Sequence, residues 1–129
     1  MQPFGVIVEA EEVAVLDFVL CDVRWYLDGR SGREAYEAGH IPGAVFVDLD
    51  ADVTAPPSAG SGRHPLPPAG DFADALGALG IGPDDAVVAY DDSGGMSAGR
   101  LVWMLRVLGQ EAALLDGGLQ AWDGSIESG

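Results

Sequence analysis

Short apolar runs bounded by turn residues recur along the chain, and they predict the buried strands of a sheet. Three of these runs are clear and a fourth is weaker; they cover residues 18–21, 86–90, 112–115 and, more weakly, 44–47. Within each run the apolar residues are consecutive rather than alternate, which is typical of strands that are covered on both faces. The pattern therefore favours a parallel sheet.

Helical periodicity fills the stretches between these strands. The predicted helices cover residues 31–38, 71–79 and 97–108, and the first of them is short and polar. Asp71 is a suitable N-cap for the second helix, and Gly80 and Gly109 follow the last turns of the second and third. Strands that alternate with helices predict an α/β domain with a mostly parallel central sheet flanked by helices.

Length, composition and charge limit what the chain can be. With 129 residues, 48% of them hydrophobic, residues 1–129 are predicted to form one domain with its core at about 18–122. No apolar run approaches the roughly 18 residues that a membrane span requires. Six basic residues against 21 acidic ones give a formal net charge of −15, which repels phosphate groups. Nucleic-acid and membrane partners are therefore not expected.

Two segments depart from the alternation of strands and helices. Residues 50–70 are rich in Pro, Gly and Ser, and they are predicted to form a long surface loop within the domain. A domain boundary is not expected there, because neither flank is long enough to fold separately. Residues 123–129 are small and polar and are predicted to begin a linker.

The loop after the 86–90 strand carries the strongest signal of function. It joins a buried strand to a helix N-terminus, where open α/β sheets place their ligand sites, and it is rich in glycine. Backbone N–H groups in such a loop can converge on an anion or activate a nucleophile. However, Asp91 and Asp92 bring two negative charges to that place, so an ordinary turn capped by Ser97 is the alternative. Walker-type and dinucleotide-binding glycine signatures are absent.

Cys21 is the only cysteine and lies at the end of a predicted buried strand. A single cysteine excludes an internal disulfide and favours a reducing, cytoplasmic compartment. A thiol in an apolar strand behaves as a small hydrophobic group rather than as a nucleophile. Asp22 and Arg24 follow it and are expected to pair, which would fix the turn after the strand.

The histidines do not indicate a metal or cofactor site. His40 precedes an Ile-Pro-Gly turn, where a histidine commonly bonds the backbone and orders the loop. It has no second histidine nearby and no cysteine at ligand spacing, and His64 lies in the Pro-rich loop, so no cofactor is expected. Ser93, His40 and Asp116 supply the three residue types of a Ser-His-Asp catalytic triad. Their spacing does not support one, and the Gly-x-Ser-x-Gly motif of a nucleophile elbow is missing.

Three motifs together resemble the rhodanese, or thiosulfate sulfurtransferase, domains. Residues 36–44, Tyr-Glu-Ala-Gly-His-Ile-Pro-Gly-Ala, resemble the first signature of that family. Residues 22–24, Asp-Val-Arg, resemble its first-strand pattern, and residues 115–122 resemble its closing Gly-Gly-x-x-x-Trp segment. The resemblance covers about 18–122 and implies a rhodanese-like α/β fold. The motif residues to which it implies a structural role are Asp22, Arg24, His40, Pro42 and Gly43.

The match is closest to the first half of tandem-domain sulfurtransferases, through Trp25, the Gly-Arg-His-Pro-Leu-Pro sequence at 62–67 and Tyr90-Asp91. In an active rhodanese domain, the residue after this strand is a cysteine. It takes sulfane sulfur from a donor such as thiosulfate as a persulfide, and it passes the sulfur to cyanide or a thiol. Asp91 stands in that place, so the resemblance implies a catalytically silent domain. The residues of this degenerate active loop are Asp91, Asp92, Ser93, Gly94, Gly95, Met96, Ser97 and Arg100.

The resemblance implies a supporting role beside a second, catalytic domain of the same chain, through which the small sulfur donor would bind. Trp25 and the edge of the degenerate active loop are the predicted contact with that domain. One alternative is a stand-alone binding or regulatory module without chemistry. Another is a phosphatase of the related fold, which requires a cysteine followed, after five residues, by an arginine. Arg100 lies nine positions after Asp91, and no cysteine is present in the loop.

Overall fold

Five parallel strands form one sheet in the structure, a computed structural model that describes residues 7–8, 18–26, 28–52, 69–122 and 124–129. The strands are β1 (Ile7–Val8), β2 (Val19–Asp22), β3 (Val45–Phe46), β4 (Val87–Tyr90) and β5 (Ala112–Leu115). Their order across the sheet is β1-β5-β4-β2-β3, and all four pairings are parallel. The register aligns Leu20 with Val88 and Val88 with Ala113. The predicted parallel sheet is confirmed, and β4 lies at its centre.

Four α-helices and one short 3₁₀ helix connect these strands in the described parts of the chain. The helices are α1 (Gly32–Ala38), α2 (Leu49–Asp52), α3 (Ala69–Ala78), α4 (Met96–Val107) and the 3₁₀ helix Gly118–Ala121. None of them combines the length and the apolar character that crossing a bilayer would take. The three predicted helices are confirmed within a residue or two at each end. Gly80 and Gly109 follow the last turns as expected, with φ of +89° and +85°.

The N-terminal caps differ from those predicted. Helix α3 begins at Ala69, so Asp71 lies within its first turn instead of capping it. Helix α4 begins at Met96 with Gly95 at the N-cap, so Ser97 is inside the helix and is not its cap. In both places the backbone enters the helix earlier than the polar residue suggests. The negative charge of Asp71 in the first turn of α3 is favourable to the helix dipole there.

The bounds predicted for the loop at 50–70 are wrong at both ends. Helix α2 extends to Asp52 and α3 starts at Ala69, so both ends of that stretch are helical. The rest of it, residues 53–68 with His64, lies outside the described residues. The two short helical ends were hidden in the sequence by the prolines and glycines around them.

The sheet is buried on both faces, as consecutive apolar residues in a strand require. On one face, Val87 and Ala89 of β4 pack with α3 and α4 in a cluster that includes Cys21. On the other face, Val88 and Tyr90 pack in a cluster near α1 and the 3₁₀ helix. The carboxyl end of β4 therefore lies at the centre of the sheet edge, between the two clusters.

Residues 124–129, here called the C-terminal strap, run back onto the domain. The main chains of His40 and Glu127 exchange two hydrogen bonds, N–H to O, of 2.8 and 2.9 Å. The Gly129 N–H donates to the Glu37 carbonyl at 2.8 Å. A linker was predicted to begin at 123, whereas residues 127–129 are bonded to the domain. The long sequence separation between the strap and His40 concealed this contact.

Candidate active loop at the end of strand β4

The side chain of Asp91 occupies a ring of backbone amides directly after β4. Its Oδ1 accepts hydrogen bonds from the N–H groups of Ser93 and Gly95, at 3.0 and 2.9 Å. Its Oδ2 accepts from the N–H groups of Ser97 and Ala98, at 3.0 and 2.8 Å. Asp91 is 1% exposed. The four amides therefore bind a carboxylate that the chain itself supplies.

Two glycines and the start of α4 shape this ring. Gly94 and Gly95 have φ of +76° and +92°, in the left-handed region that glycine adopts without steric cost. Their conformation turns the chain so that the amides before and within the first turn of α4 face one point. The N-terminus of α4 adds positive potential at that point, which favours a negative group. The sequence left two interpretations open, an anion-holding loop and an ordinary turn, and in the structure the four amides bind the chain's own Asp91 carboxylate.

The turn after β5 closes over the same position. The Leu119 N–H donates to the main-chain oxygen of Asp91 at 2.9 Å. Gly118 has φ of +61°, and a Cβ there would stand 2.5 Å from that oxygen, so only glycine fits. Between the two turns lies a cavity of about 170 Å³, lined in part by Gly94, Gly95 and Asp116.

Asp92 is tied to neighbouring loops instead of pointing freely into the ring. Its Oδ2 accepts a 2.6 Å hydrogen bond from the Tyr26 hydroxyl, and its main-chain oxygen accepts one from Gln120 Nε2, also at 2.6 Å. Burial, with the bond to Asp92 adding to it, raises the pKa of Tyr26. Among the described side chains, Asp92 Oδ1 and Ser93 Oγ are buried without a hydrogen-bond partner. Sequence reasoning missed Tyr26 and Gln120, because no motif links either residue to the loop.

The remaining residues of the degenerate active loop are placed on its outer side and on α4. Met96 is 81% exposed at the first position of the helix. Arg100 lies one turn further, half-buried, and burial lowers the pKa of its guanidinium. Trp25 is half-buried and packs against the core cluster on the α3 and α4 side of the sheet.

The predicted pair of Asp22 and Arg24 is confirmed, and it does more than fix one turn. The two side chains are almost fully buried, and Arg24 Nη2 lies 2.8 Å from Asp22 Oδ2. The same Nη2 donates to the carbonyls of Ala35 and Gly39, at 3.1 and 2.7 Å. Bonding to Asp22 raises the pKa of Arg24 against the opposing effect of burial, which is the largest single influence. The pair thus attaches the end of β2 to the end of α1.

His40 bonds the backbone, as predicted, and does not join a catalytic triad. Its Nδ1 lies 2.8 Å from the Tyr36 carbonyl oxygen and its Nε2 lies 3.1 Å from Glu127 Oε1. Both ring nitrogens are thereby engaged away from Ser93, whose hydroxyl has no partner. Within the described ranges, no group of three His, Cys, Asp or Glu side chains is arranged to hold a metal ion.

Cys21 is a core residue and not a nucleophile. It is 0% exposed within the cluster that packs against α3 and α4. Burial, with the neighbouring Asp22 charge adding to it, raises the pKa of its thiol to about 12. A reactive thiol needs the opposite conditions, accessibility and a lowered pKa.

The sequence profile of the rhodanese-like domain matches residues 9–125. The chain belongs to the rhodanese-like family. The chain is 42% identical over 129 residues to SseB of Mycobacterium tuberculosis, a protein named as a thiosulfate sulfurtransferase. This match covers 97% of the chain and 44% of SseB. The chain is 46% identical over 110 residues to a Pseudomonas aeruginosa protein named as a 3-mercaptopyruvate sulfurtransferase, covering 82% of this chain and 39% of that protein.

A solved structure gives the same assignment of the fold. The structure of 3-mercaptopyruvate sulfurtransferase from Leishmania major matches 99% of this chain with a TM-score of 0.87 at 32% identity, and the match covers 38% of that protein. This rhodanese-like chain therefore spans less than half the length of these relatives. The predicted fold and family are both confirmed.

Proposed function

We propose that this rhodanese-like domain is the catalytically silent, N-terminal half of a sulfurtransferase. Its role is to support a second domain that moves a sulfur atom from thiosulfate or 3-mercaptopyruvate to cyanide or a thiol. The observation that carries the proposal is the position of Asp91, whose carboxylate accepts four N–H bonds in the loop where the family resemblance expects a cysteine.

Chemistry explains the silence of the loop. Sulfur transfer through a persulfide requires a thiolate that attacks the donor sulfur. The bond that joins this sulfur to the rest of the donor breaks, sulfite leaves from thiosulfate or pyruvate from 3-mercaptopyruvate, and a sulfur–sulfur bond remains on the enzyme. A carboxylate cannot form that bond. In addition, the four amides that would stabilise a charged sulfur group are already bonded to Asp91, so they are not available to an incoming anion.

Cys21 does not offer a second route. Its sulfur is enclosed in the core, and its pKa of about 12 leaves almost no thiolate near neutral pH. A single buried thiol is also in keeping with a reducing compartment such as the cytoplasm, which we include in the proposal.

The length of the relatives supports a second domain. The chain covers 44% of SseB and 39% of the Pseudomonas aeruginosa protein, which leaves room in each for a domain of similar size. Trp25 and the outer edge of the degenerate active loop, including exposed Met96, are the proposed contact. An interface between domains commonly buries about 600–1,500 Å², so it would extend well beyond these residues.

The silence is tested by a sulfurtransferase assay on the isolated chain. With thiosulfate or 3-mercaptopyruvate as donor and cyanide as acceptor, we expect thiocyanate formation at background level. The matched variant Cys21→Ser should give the same result. Turnover that is present in the wild type, whether Cys21→Ser abolishes it or not, would overturn the silence of the domain.

The supporting role is tested by reading the gene beyond Gly129. A second His-x-Pro-Gly motif followed by a Cys-x-x-Gly-x-Thr/Ser loop supports the tandem enzyme. A stop codon directly after Gly129 instead supports a stand-alone binding or regulatory module. In a tandem protein, Asp91→Asn should lower thermal stability and leave kcat within about twofold, because the chemistry belongs to the other domain.

A further inference from the structure

Helix α4 carries an exposed apolar stripe, here called the α4 stripe, formed by Met96, Trp103 and Val107. These side chains are 81%, 55% and 64% exposed. They are seven and four residues apart, so on a helix of 3.6 residues per turn they lie on one face, over a length of about 17 Å. Four of the five large hydrophobic side chains that are exposed in the described part of the chain lie on α4 or at its C-cap. Contiguous exposed apolar surface, unlike single scattered side chains, is typical of an interaction site.

A groove opens along the stripe at Gly99. It has a volume of about 410 Å³, and Gly99, Trp103 and Leu114 are among the residues that line it. Apart from its chain neighbours and the backbone of its own helix, no described atom lies within 4 Å of the place that a Cβ on Gly99 would take. Glycine is less favourable than alanine in a helix interior, so packing within the described domain gives no reason for it there. A glycine that leaves space on an exposed helix face lets another chain approach closely.

The charge of α4 also differs from that of the rest of the domain. The chain has 21 acidic residues, yet none of the 12 residues of α4 is acidic. Arg100 and Arg106 lie on either side of the stripe. A partner with acidic groups can therefore approach α4 without the repulsion that a net charge of −15 causes elsewhere. A second copy of this chain fits less well, because its own two arginines would face the same pair.

The α4 stripe is continuous with the contact proposed above for the second domain. Met96 belongs to both, and Trp25 packs against the core cluster on the same side of the sheet as α4. Trp25 and Met96 alone are too small a contact, since an interface between domains commonly buries about 600–1,500 Å². The chain covers 44% of SseB and 39% of the Pseudomonas aeruginosa protein, so the occupant that these relatives favour is a second domain of the same chain.

We propose that the second domain docks on the α4 stripe and places an apolar side chain in the groove at Gly99. This inference rests on the proposed function, because it takes the second domain as the occupant. Docking removes the side chains of Met96 and Trp103 from water, and burial of apolar surface drives most protein association. Tryptophan is also among the residues that contribute most to the stability of interfaces. The stripe thus extends the contact along α4 to Val107, away from the degenerate active loop.

Hydroxyl-radical labelling read by mass spectrometry tests the docking on the full chain that the gene encodes. Labelling of Met96 and Trp103 is compared between that chain and residues 1–129 alone. We expect both side chains to be labelled at least tenfold more slowly in the full chain, because the second domain covers them. Leu108 is the internal control: it is 54% exposed and lines a different groove, between α3 and α4, so its labelling should change by less than twofold. An equal slowing at Leu108 would contradict docking on the stripe.

Two leucine variants test the groove. Gly99→Leu fills it, whereas Gly77→Leu adds the same side chain at an exposed position of α3 with equally open space. In residues 1–129 both changes should raise the melting temperature by about 2–5 °C, because leucine favours a helix more than glycine does. In the full chain, Gly99→Leu should restore the labelling of Trp103 to the rate found in residues 1–129, and Gly77→Leu should not.

The outcomes separate this inference from the proposed function. If a second domain follows and the full chain is active, but Trp103 is labelled equally fast in both chains or stays protected in Gly99→Leu, the docking on α4 is overturned and the proposed function stands. If Met96 and Trp103 become protected in residues 1–129 alone as the protein concentration rises, a second copy covers the stripe and the inference is overturned. If the gene encodes no second domain, the inference and the supporting role both fail.

Discussion

Replacing Asp91 by alanine should destabilise the domain far more than the loss of a surface carboxylate. Two of the four amides bonded to Asp91 belong to Ser97 and Ala98, which are 5% and 0% exposed. A buried N–H left without a partner costs about 1–3 kcal/mol. Counting only these two amides, we expect the free energy of unfolding to fall by about 2–6 kcal/mol. That is a large part of the roughly 5–15 kcal/mol that stabilises a typical domain.

The matched control is Asp116→Ala. Asp116 is exposed and directly follows β5, the strand beside β4, so both variants remove one negative charge from the same end of the sheet. In a chain of net charge −15, that removal alone relieves repulsion and should not destabilise. Urea unfolding followed by circular dichroism measures both variants. If Asp91→Ala unfolds within about 0.5 kcal/mol of Asp116→Ala, the ring of bonds is not stabilising and the reasoning fails.

A small anion should partly restore the alanine variant. Formate resembles the carboxylate that was removed, and it stabilises the folded state in proportion to its binding there. We expect formate to raise the melting temperature of Asp91→Ala above the effect of an equal concentration of chloride. The wild type and Asp116→Ala should show no such difference. An equal gain in all three proteins would mean that the amides do not select an anion at this position.

Three further predictions follow from the geometry. Gly118→Ala should destabilise the domain by more than the roughly 1–2 kcal/mol that a left-handed alanine costs, because its Cβ would meet the Asp91 oxygen. Gly109→Ala has open space around it and should cost only the backbone strain, and melting curves compare the two variants. Arg24→Met should cost about 3–5 kcal/mol by leaving Asp22 buried and unpaired, and adding Asp22→Asn should recover part of it, as a double-mutant cycle would show. The free energy of unfolding should fall by up to about 1.4 kcal/mol per pH unit above pH 9, because the unfolded chain releases the Cys21 proton that the folded chain retains. Urea titrations at several pH values measure this slope, and Cys21→Ala should flatten it.

The sequence predicted the elements whose signal is local. Residues 112–115 are four consecutive apolar positions, and they form β5 with the expected bounds. Strand β1, by contrast, is two residues long, and it becomes a strand only through pairing with β5. No pattern within two residues can show that pairing. Helix α2 is also short, with four residues, and the Pro-rich sequence after it hides it.

The candidate site was predicted in part for the same reason. Glycines at a strand-to-helix junction indicated that the loop at Asp91 could hold an anion, whereas its two acidic residues favoured an ordinary turn. The sequence could not show whether the amides would face an outside ligand or the side chain of Asp91, because both arrangements need the same residues. The contact of Glu127 with His40 spans 87 positions and was missed, since it depends on how the chain returns to the domain.

Because the Asp91 carboxylate fills the ring of amides, the folded structure of this loop does not depend on the concentration of a free sulfur donor. A loop that is organised by a free anion gains and loses stability with the concentration of that anion. Here the anion is attached to the backbone, so its local concentration is high and constant, and binding requires no encounter. The centre of the sheet, the start of α4 and the turn at Gly118 can therefore stay assembled whether sulfur donors are abundant or absent.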